Sequence, residues 1–234
     1  MKELLPYLPT DRRHAIANGI ELQDRARGSA LFVDISGFTP LAEGLVNDLG
    51  PQRGAEELTF FLNQVYNVLI SDLDRCHGSV IGFSGDAITC WFDGDDGRAA
   101  AACAFSMQES MEQFDEVPLP SGERVSLAAK AGLAVGDARR FTVGETTQID
   151  VLAGSLLDEM AEAEHHASRG EVVLGPSALG SLGDQIEIAK RPEEADDFAI
   201  AAKLKREVEP DPWPELTADS LSDEQLRPWL LGPV

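Results

Sequence analysis

The spacing of hydrophobic and polar positions along the chain predicts strands and helices in mixed order. Apolar runs bounded by glycine or polar residues predict strands at 29–34, 78–81, 88–92, 125–135, 140–144, 148–152 and 171–174. Apolar residues three and four apart predict helices at 39–49, 55–75, 98–112 and 156–166. This order of elements indicates an α+β protein in which helices pack on a mixed, mainly antiparallel sheet.

Changes in composition along the chain indicate three parts. Residues 1–28 are polar with scattered apolar positions, and we expect an arm on the edge of the domain. The segments with strongly periodic apolar positions lie within residues 29–190, so we expect the main domain there. Residues 191–234 begin with an acidic loop, contain an expected edge strand at 198–208 and continue through a proline-rich stretch. An apolar cluster at 229–231 leads us to expect a continuation toward a second domain.

Two aspartates lie where a carboxylate is costly to bury. Asp34 ends an apolar run, and Asp86 follows Ser84 and Gly85 between two apolar strands. A buried carboxylate normally has a cation or a hydrogen-bond donor as its partner. Hard oxygen ligands suit Mg²⁺ or Mn²⁺, so the pair predicts a divalent-metal site. Taken singly, Asp34 is equally compatible with a helix cap and Asp86 with a turn.

The residues after Asp34 predict a sharp turn into a helix. They are Ser36, Gly37, Phe38 and Thr39, followed by Pro40, which suits a first helical turn. The first N–H groups of a helix have no partner within that helix, and they favour anions. We therefore expect a phosphate cradle beside the metal site.

The overall charge limits the range of partners. The formal net charge is −22 and the isoelectric point about 4.4, which argues against binding to nucleic acid or an anionic membrane. A nucleotide is still allowed because a metal ion neutralises charge locally. The three cysteines, Cys76, Cys90 and Cys103, lack metal-ligand spacing, and no apolar run reaches membrane-span length. We expect a reduced, cytoplasmic environment.

Two motifs carry a family resemblance: the stretch from Phe32 to Thr39, and Gly85-Asp86 further along the chain. Their aspartates are 52 residues apart. Together they resemble the motifs of the class III nucleotidyl cyclases. The resemblance covers most of residues 29–179 and implies a ferredoxin-like cyclase fold. It also implies two divalent ions, Mg²⁺ or Mn²⁺, held by Asp34, Asp86 and the backbone carbonyl of Ile35. Residues 36–39 would then hold the phosphates of a nucleoside triphosphate, with ATP as the expected substrate.

The chain departs from this family at the positions that act on the base and ribose. Gly82 stands where the family has a base-reading lysine, and Val151 stands where it has a base-reading acid or threonine. The family's asparagine and arginine, spaced from Gly154, fall at Asp158 and Glu162. This pattern resembles the first cyclase domain of tandem soluble adenylyl cyclases and their bacterial relatives.

The resemblance implies the metal-bearing half of an adenylate cyclase, which makes 3′,5′-cyclic AMP and pyrophosphate from ATP. A second cyclase domain, or a homodimer partner, would supply the missing groups, so the isolated chain is expected to be inactive or weak. A degenerate domain that binds nucleotide or a small anion in a regulatory role remains an alternative. A pure interaction module is the third.

Four further expectations concern individual side chains. Arg139 or Arg140 is considered for phosphate contact, whereas Asp150 is expected on the opposite strand face from Val151. Glu159, Glu162 and Glu164 are expected to form a solvated helix face. The expected interface with another cyclase-type domain comprises the hairpin 79–92 and the segment 144–157, with the apolar residues Leu152, Leu156 and Leu157.

Overall fold

The structure, a computed structural model, describes residues 8–145, 147–193, 195–217 and 220–229. The helices are α1 (Thr10–Asn18), α2 (Phe38–Leu49), α3 (Pro51–Arg75), α4 (Arg98–Met111), α5 (Ser155–His165), α6 (Pro176–Leu182) and α7 (Asp223–Leu226). The strands are β1 (Arg25–Ser36), β2 (Ser79–Ser84), β3 (Ala87–Asp93), β4 (Val117–Pro118), β5 (Arg124–Val125), β6 (Ala128–Val143), β7 (Ile149–Ala153), β8 (Val172–Leu174), β9 (Ile186–Lys190) and β10 (Ala199–Leu204).

One large sheet organises the fold. Its strand order is β2-β3-β1-β6-β8-β10-β9, and β7 pairs with the far end of β6. Only the β6–β8 pair is parallel among the pairings described, so the predicted α+β fold with a mainly antiparallel sheet is confirmed. Among the helices of the described segments, none combines the length and the apolar character that crossing a bilayer would need.

The alternation of side chains along β1 divides the core between the two faces of the sheet. Leu31, Val33 and Ile35 point to one face, where they pack in a cluster with α2, α3 and α4. Ala30 and Phe32 belong to the cluster on the other face, which α5 covers. Asp34 has the same parity as Phe32 and therefore lies on the α5 side.

The predicted edge strand at 198–208 is wrong in its position. The observed strand, β10, pairs with β8 on one side and β9 on the other, so it lies inside the sheet. Its first three residues, Ala199 to Ala201, are all buried, which an edge strand does not require.

The apolar cluster predicted at 229–231 extends into residues outside the described part of the chain. The expected boundary near residue 190 remains a prediction.

A buried cluster of four charged residues joins the N-terminal helix to the sheet. Arg140 of β6 binds the carboxylates of Asp11 on α1 and Asp150 on β7, and its side chain is 3% exposed. Arg12 donates two hydrogen bonds of 3.0 Å to Asp150, and its guanidinium lies 4.9 Å from the ring centre of Trp229. Charge pairing therefore holds α1 against the β6–β7 hairpin, and a cation–π contact joins Arg12 of α1 to Trp229.

The environment of Asp150 shows how these charges are balanced. Burial acts to raise the pKa of Asp150, but hydrogen bonds from Arg140 and Arg12 outweigh burial and leave the pKa below its ordinary value. A carboxyl with a lowered folded-state pKa contributes stability at neutral pH. That contribution is lost as the pH falls through the lowered pKa.

We predict that Arg140→Met lowers the free energy of unfolding by about 3–5 kcal/mol, because it leaves buried carboxylates without their main partner. Urea denaturation at neutral pH measures this change. Arg139→Met is the matched control, since Arg139 is exposed and its replacement should cost little. Equal losses in the two variants would contradict the assignment of the cluster as a structural support.

Candidate functional site

The ends of β1 and of the β2–β3 hairpin bring Asp34 and Asp86 side by side. Asp34 pairs in register with Ala87, the residue that follows Asp86. The backbone N–H of Ile35 donates to the carbonyl oxygen of Asp86 over 3.2 Å. The two carboxylate-bearing residues are therefore joined by the backbone, although they are 52 positions apart in sequence.

Tyr66 of α3 holds the hairpin tip and lies close to both carboxylates. Its hydroxyl donates to the carbonyl oxygen of Gly85 over 2.9 Å. Burial raises the pKa of Tyr66, and the negative charges of Asp86 and Asp34 raise it further. One phenol thus sits within the electrostatic reach of both aspartates.

The turn after β1 requires glycine at position 37. Gly37 has φ of 97°, and a Cβ there would lie 2.3 Å from the carbonyl oxygen of Ser126. Helix α2 begins immediately afterwards at Phe38 and has no side-chain N-cap among the described contacts. The Ser36 hydroxyl donates to the carbonyl of Ala128 over 3.1 Å. The cradle can therefore offer backbone N–H groups, while the Ser36 side chain already has a partner.

Lys130 is a site residue that the sequence interpretation missed. It is the cross-strand neighbour of Asp34 on β6, and its Nζ lies 3.3 Å from Oδ2 of Asp34. The same ammonium lies 2.5 Å from Oε1 of Glu164 on α5. The hydrogen bond to Glu164 raises the pKa of Lys130, burial opposes this, and Asp34 adds to the rise. Lys130 is a charged residue within an apolar run, as Asp34 is. Because burying a charge is costly, the rule that identified Asp34 could also have identified Lys130 from the sequence.

The close approach of α5 to β6 positions Glu164. A Cβ at Gly132 would lie 2.3 Å from the backbone nitrogen of Glu164, so only glycine allows this helix-to-strand packing. The expected solvated face of α5 is therefore wrong for two of its three glutamates. Glu164 binds Lys130, and Glu159 accepts hydrogen bonds from the backbone N–H and hydroxyl of Ser177 at 2.8 and 2.6 Å. Glu162 is exposed, as expected.

Neither Arg139 nor Arg140 can serve the cradle in the same chain. Arg139 pairs with Arg25 at the start of β1, and Asp34 lies nine residues further along that strand. At about 3.3 Å per residue the separation is roughly 30 Å. Arg140 lies buried in the ion cluster described above. The expectation of a phosphate contact from these residues is therefore wrong for the site of the same chain, and among the described residues Lys130 is a cation that does lie beside Asp34.

The positions that depart from the cyclase pattern lie apart from Asp34 or face solvent. A Cβ at Gly82 on β2 would meet no atom within 4 Å, so there is open space where the family has a lysine. Val151 of β7 pairs with Phe141 near the end of the β6–β7 hairpin. Asp158 and Glu162 are exposed on α5.

Two of the three leucines expected at an interface are instead in the chain's own core. Leu152 is 8% exposed and Leu156 is 4% exposed, and both pack in the cluster under α5. Leu157 is half-buried against the same cluster. Their apolar character therefore reflects burial within the domain.

The exposed apolar side chains of this region lie on the β6–β7 hairpin. Phe141, Val143 and Ile149 are 41%, 41% and 57% exposed. Phe141 pairs with Val151, and Val143 pairs with Ile149, so these residues share one face of the hairpin. We call this set the hairpin strip.

The donor set at Asp34 and Asp86 fits a divalent ion in part. Within the described residues no group of three or more His, Cys, Asp or Glu side chains could enclose a metal. The two carboxylates, with the expected backbone carbonyl of Ile35, would make an open, all-oxygen set, the type that Mg²⁺ accepts when a substrate supplies further oxygens. The ammonium of Lys130 on Asp34 shows that this position attracts a cation.

Known proteins with similar sequences are adenylate cyclases. The chain is 27% identical to adenylate cyclase type 10 of Rattus norvegicus over 173 residues, which cover 71% of this chain and 11% of that protein. The human protein of the same name is 27% identical over 171 residues, with the same coverage. An adenylate cyclase of Anabaena cylindrica is 28% identical over 127 residues, covering 53% of this chain and 24% of that protein. No family model matches the sequence.

Solved structures with a similar fold include adenylyl and guanylyl cyclases. The adenylyl cyclase CyaB of P. aeruginosa has a TM-score of 0.63 at 20% identity, covering 81% of this chain and all of that one. The guanylyl cyclase Cya2 has a TM-score of 0.61 at 22% identity, covering 76% and 91%. The guanylate cyclase domain from Catenaria anguillulae, solved with GTP, has a TM-score of 0.63 at 15% identity, covering 78% and 100%.

The fold is that of a class III nucleotidyl cyclase catalytic domain, and the resemblance found in the sequence is confirmed. Its homologues are adenylate cyclase type 10 and a bacterial adenylate cyclase. The chain spans about a tenth of the length of the type 10 proteins, whose matched share is 11%.

Proposed function

We propose that this chain is the metal-bearing half of an adenylate cyclase and converts ATP to 3′,5′-cyclic AMP and pyrophosphate together with a second cyclase domain. The observation that carries the proposal is the juxtaposition of Asp34 and Asp86 beside the N-terminus of α2. Similar folds act on either purine nucleotide according to their names, whereas the sequence relatives are adenylate cyclases. The sequence relatives favour ATP.

Two divalent ions, Mg²⁺ or Mn²⁺, would be held by Asp34, Asp86 and the carbonyl of Ile35. When bound, such ions supply Lewis-acid activation of a ribose hydroxyl and neutralise phosphate charge. The chain's own contribution is to orient the triphosphate: the backbone at 36–39 would bind the β- and γ-phosphates at the start of α2. Lys130 adds positive charge beside Asp34.

The missing groups explain why a second domain is needed. Gly82 and Val151 offer no side-chain hydrogen bond to a base, and Asp158 and Glu162 are acidic where the reaction develops negative charge. A symmetric dimer of this chain would have two sets of metal-binding aspartates. Neither subunit would supply the lysine, asparagine and arginine that the other needs. A partner cyclase domain with lysine, asparagine and arginine would complete one site.

One observation favours an alternative role as a regulatory domain that binds nucleotide or a small anion without turnover. Lys130 pairs with Asp34, so one of the two proposed metal ligands already has a cation as its partner. A domain in which this pair persists would bind phosphate by charge and leave the metal site unused. Nucleotide binding that is independent of Mn²⁺ would support this alternative.

We predict that Asp34→Ala and Asp86→Ala each abolish the rise in melting temperature that Mn²⁺ and ATP together produce in the unaltered protein. A ligand that binds only the native state must stabilise it, so thermal unfolding reports binding directly. Asp137→Ala is the control, because Asp137 is an exposed carboxylate, 83% accessible, at the far end of β6. Normal binding by both active-site variants would place the site elsewhere.

We predict that the isolated chain makes cyclic AMP at least 10²–10³-fold more slowly than the chain mixed with a complementing cyclase domain, since losing one electrostatic donor typically costs about this factor. Cyclic AMP formation by the pure protein is measured before and after adding a domain that carries the lysine, asparagine and arginine. Robust activity of the chain alone that is lost in Asp34→Ala would contradict this prediction. It would show that residues 151–162 are wrongly matched to the cyclase family's base-reading, asparagine and arginine positions.

The partner surface is proposed to include the hairpin strip. Its exposed aromatic and aliphatic side chains lie beyond Arg25 at the start of β1, on the face of the hairpin away from the buried ion cluster. Exposed apolar side chains that are grouped in this way commonly mark an interface. Phe83 on β2, 51% exposed, is an exposed apolar side chain within the expected contact region 79–92.

We predict that the chain self-associates weakly through the hairpin strip when no second domain is present. Sedimentation velocity over a wide concentration range should show a monomer–dimer equilibrium, and Ile149→Asp should shift it to monomer. Leu157→Asp is a comparison at a half-buried site and should instead lower stability. A protein that stays monomeric at every concentration would remove the hairpin strip from the interface.

A further inference from the structure

We propose that Lys130 is an internal counter-ion that competes with a divalent metal for Asp34, and that Glu164 is a positioning residue that sets the strength of this competition. The inference rests on the proposed function and deepens it, because it concerns regulation of the same site. Its basis is a three-membered ion arrangement within one chain. The ammonium of Lys130 lies between the carboxylates of Asp34 and Glu164.

The geometry shows which carboxylate holds the ammonium more closely. Nζ is 2.5 Å from Oε1 of Glu164 and 3.3 Å from Oδ2 of Asp34. The exposed fractions of the three side chains are 27% for Lys130, 25% for Asp34 and 13% for Glu164. Solvent and salt therefore screen these charges less than they screen a surface pair.

The strength of the contact between Lys130 and Asp34 depends on whether Asp34 also binds a metal ion. Without a metal, Asp34 lies beside the like charge of Asp86, and Lys130 offsets part of that repulsion. A divalent ion on Asp34 would repel the ammonium, so metal binding must loosen the Lys130–Asp34 contact. An ammonium displaced without a partner would be costly at this depth.

Glu164 provides that partner. It is placed by the packing of α5 on Gly132, so its carboxylate stays beside Lys130 whether or not the contact to Asp34 exists. Glu164 therefore lowers the cost of releasing Asp34. Without its charge, Lys130 would depend on Asp34 alone and would compete more strongly with the metal.

The test measures binding of Mn²⁺ alone, without nucleotide, by the electron paramagnetic resonance signal of the free ion. Lys130→Met should bind Mn²⁺ about tenfold more tightly than the unaltered protein, and Glu164→Gln about tenfold more weakly, as expected for losing one partly buried charge contact. Lys130→Arg keeps the competing charge and should not strengthen binding. Glu162→Gln makes the same chemical change on the exposed face of α5 and should have little effect.

The double variant separates positioning by Glu164 from a direct effect of its charge. If Glu164 acts through Lys130, Glu164→Gln should change Mn²⁺ affinity much less in the Lys130→Met background. An equal loss in both backgrounds would overturn the positioning role. Should Lys130→Met fail to fold, as judged by circular dichroism, Lys130→Gln replaces it in the same cycle.

The outcomes distinguish this inference from the proposed function. Mn²⁺ binding that is unchanged by Asp34→Asn would overturn the proposed metal site itself. Binding that depends on Asp34 but is not strengthened by Lys130→Met or Lys130→Gln would overturn only the competition by Lys130. Tighter binding in these two variants, with weaker binding in Glu164→Gln, is the result that we expect.

Discussion

The arrangement of the site depends on the cost of placing the Asp34 carboxylate at the end of a strand whose neighbours are buried. Val33 and Ile35 on either side are 1% exposed, and the Asp34 side chain is 25% exposed, so its charge is only partly solvated. Such a carboxylate needs positive charge or donors close by. Lys130 and the N-terminus of α2 are the positive features that the chain provides there. Both would also favour a phosphate group, which connects a requirement of folding to the proposed binding of a nucleotide.

Much of the fold was predictable because the relevant signals are local. The apolar run around Asp34, the turn chemistry of Ser84-Gly85 and the helical spacing of α3 each lie within a short window of sequence. The sequence therefore predicted β1, the β2–β3 hairpin and α2 to within a few residues. It also predicted a helix at 98–112, and the observed helix α4 begins at Arg98, where Asp95 accepts hydrogen bonds from backbone N–H groups.

Most of the features that the sequence did not reveal depend on contacts between distant segments. Arg12 and Asp150 are 138 positions apart, and nothing near either residue indicates the other. The position of β10 inside the sheet depends on which strands flank it, which its own alternation does not specify. Lys130 was different, because the rule that selected Asp34 applies equally to a lysine in an apolar run. Glu164 became visible only once the approach of α5 to Gly132 was known.

We propose that Asp34 and Asp86 together hold divalent metal in a nucleotide complex. Crystals grown with Mn²⁺ and a non-hydrolysable ATP analogue, measured for anomalous scattering from manganese, test it most directly. We expect an anomalous peak about 2.1 Å from carboxylate oxygens of both residues, with the triphosphate at the start of α2. Bound nucleotide with no manganese peak between Asp34 and Asp86 would contradict it.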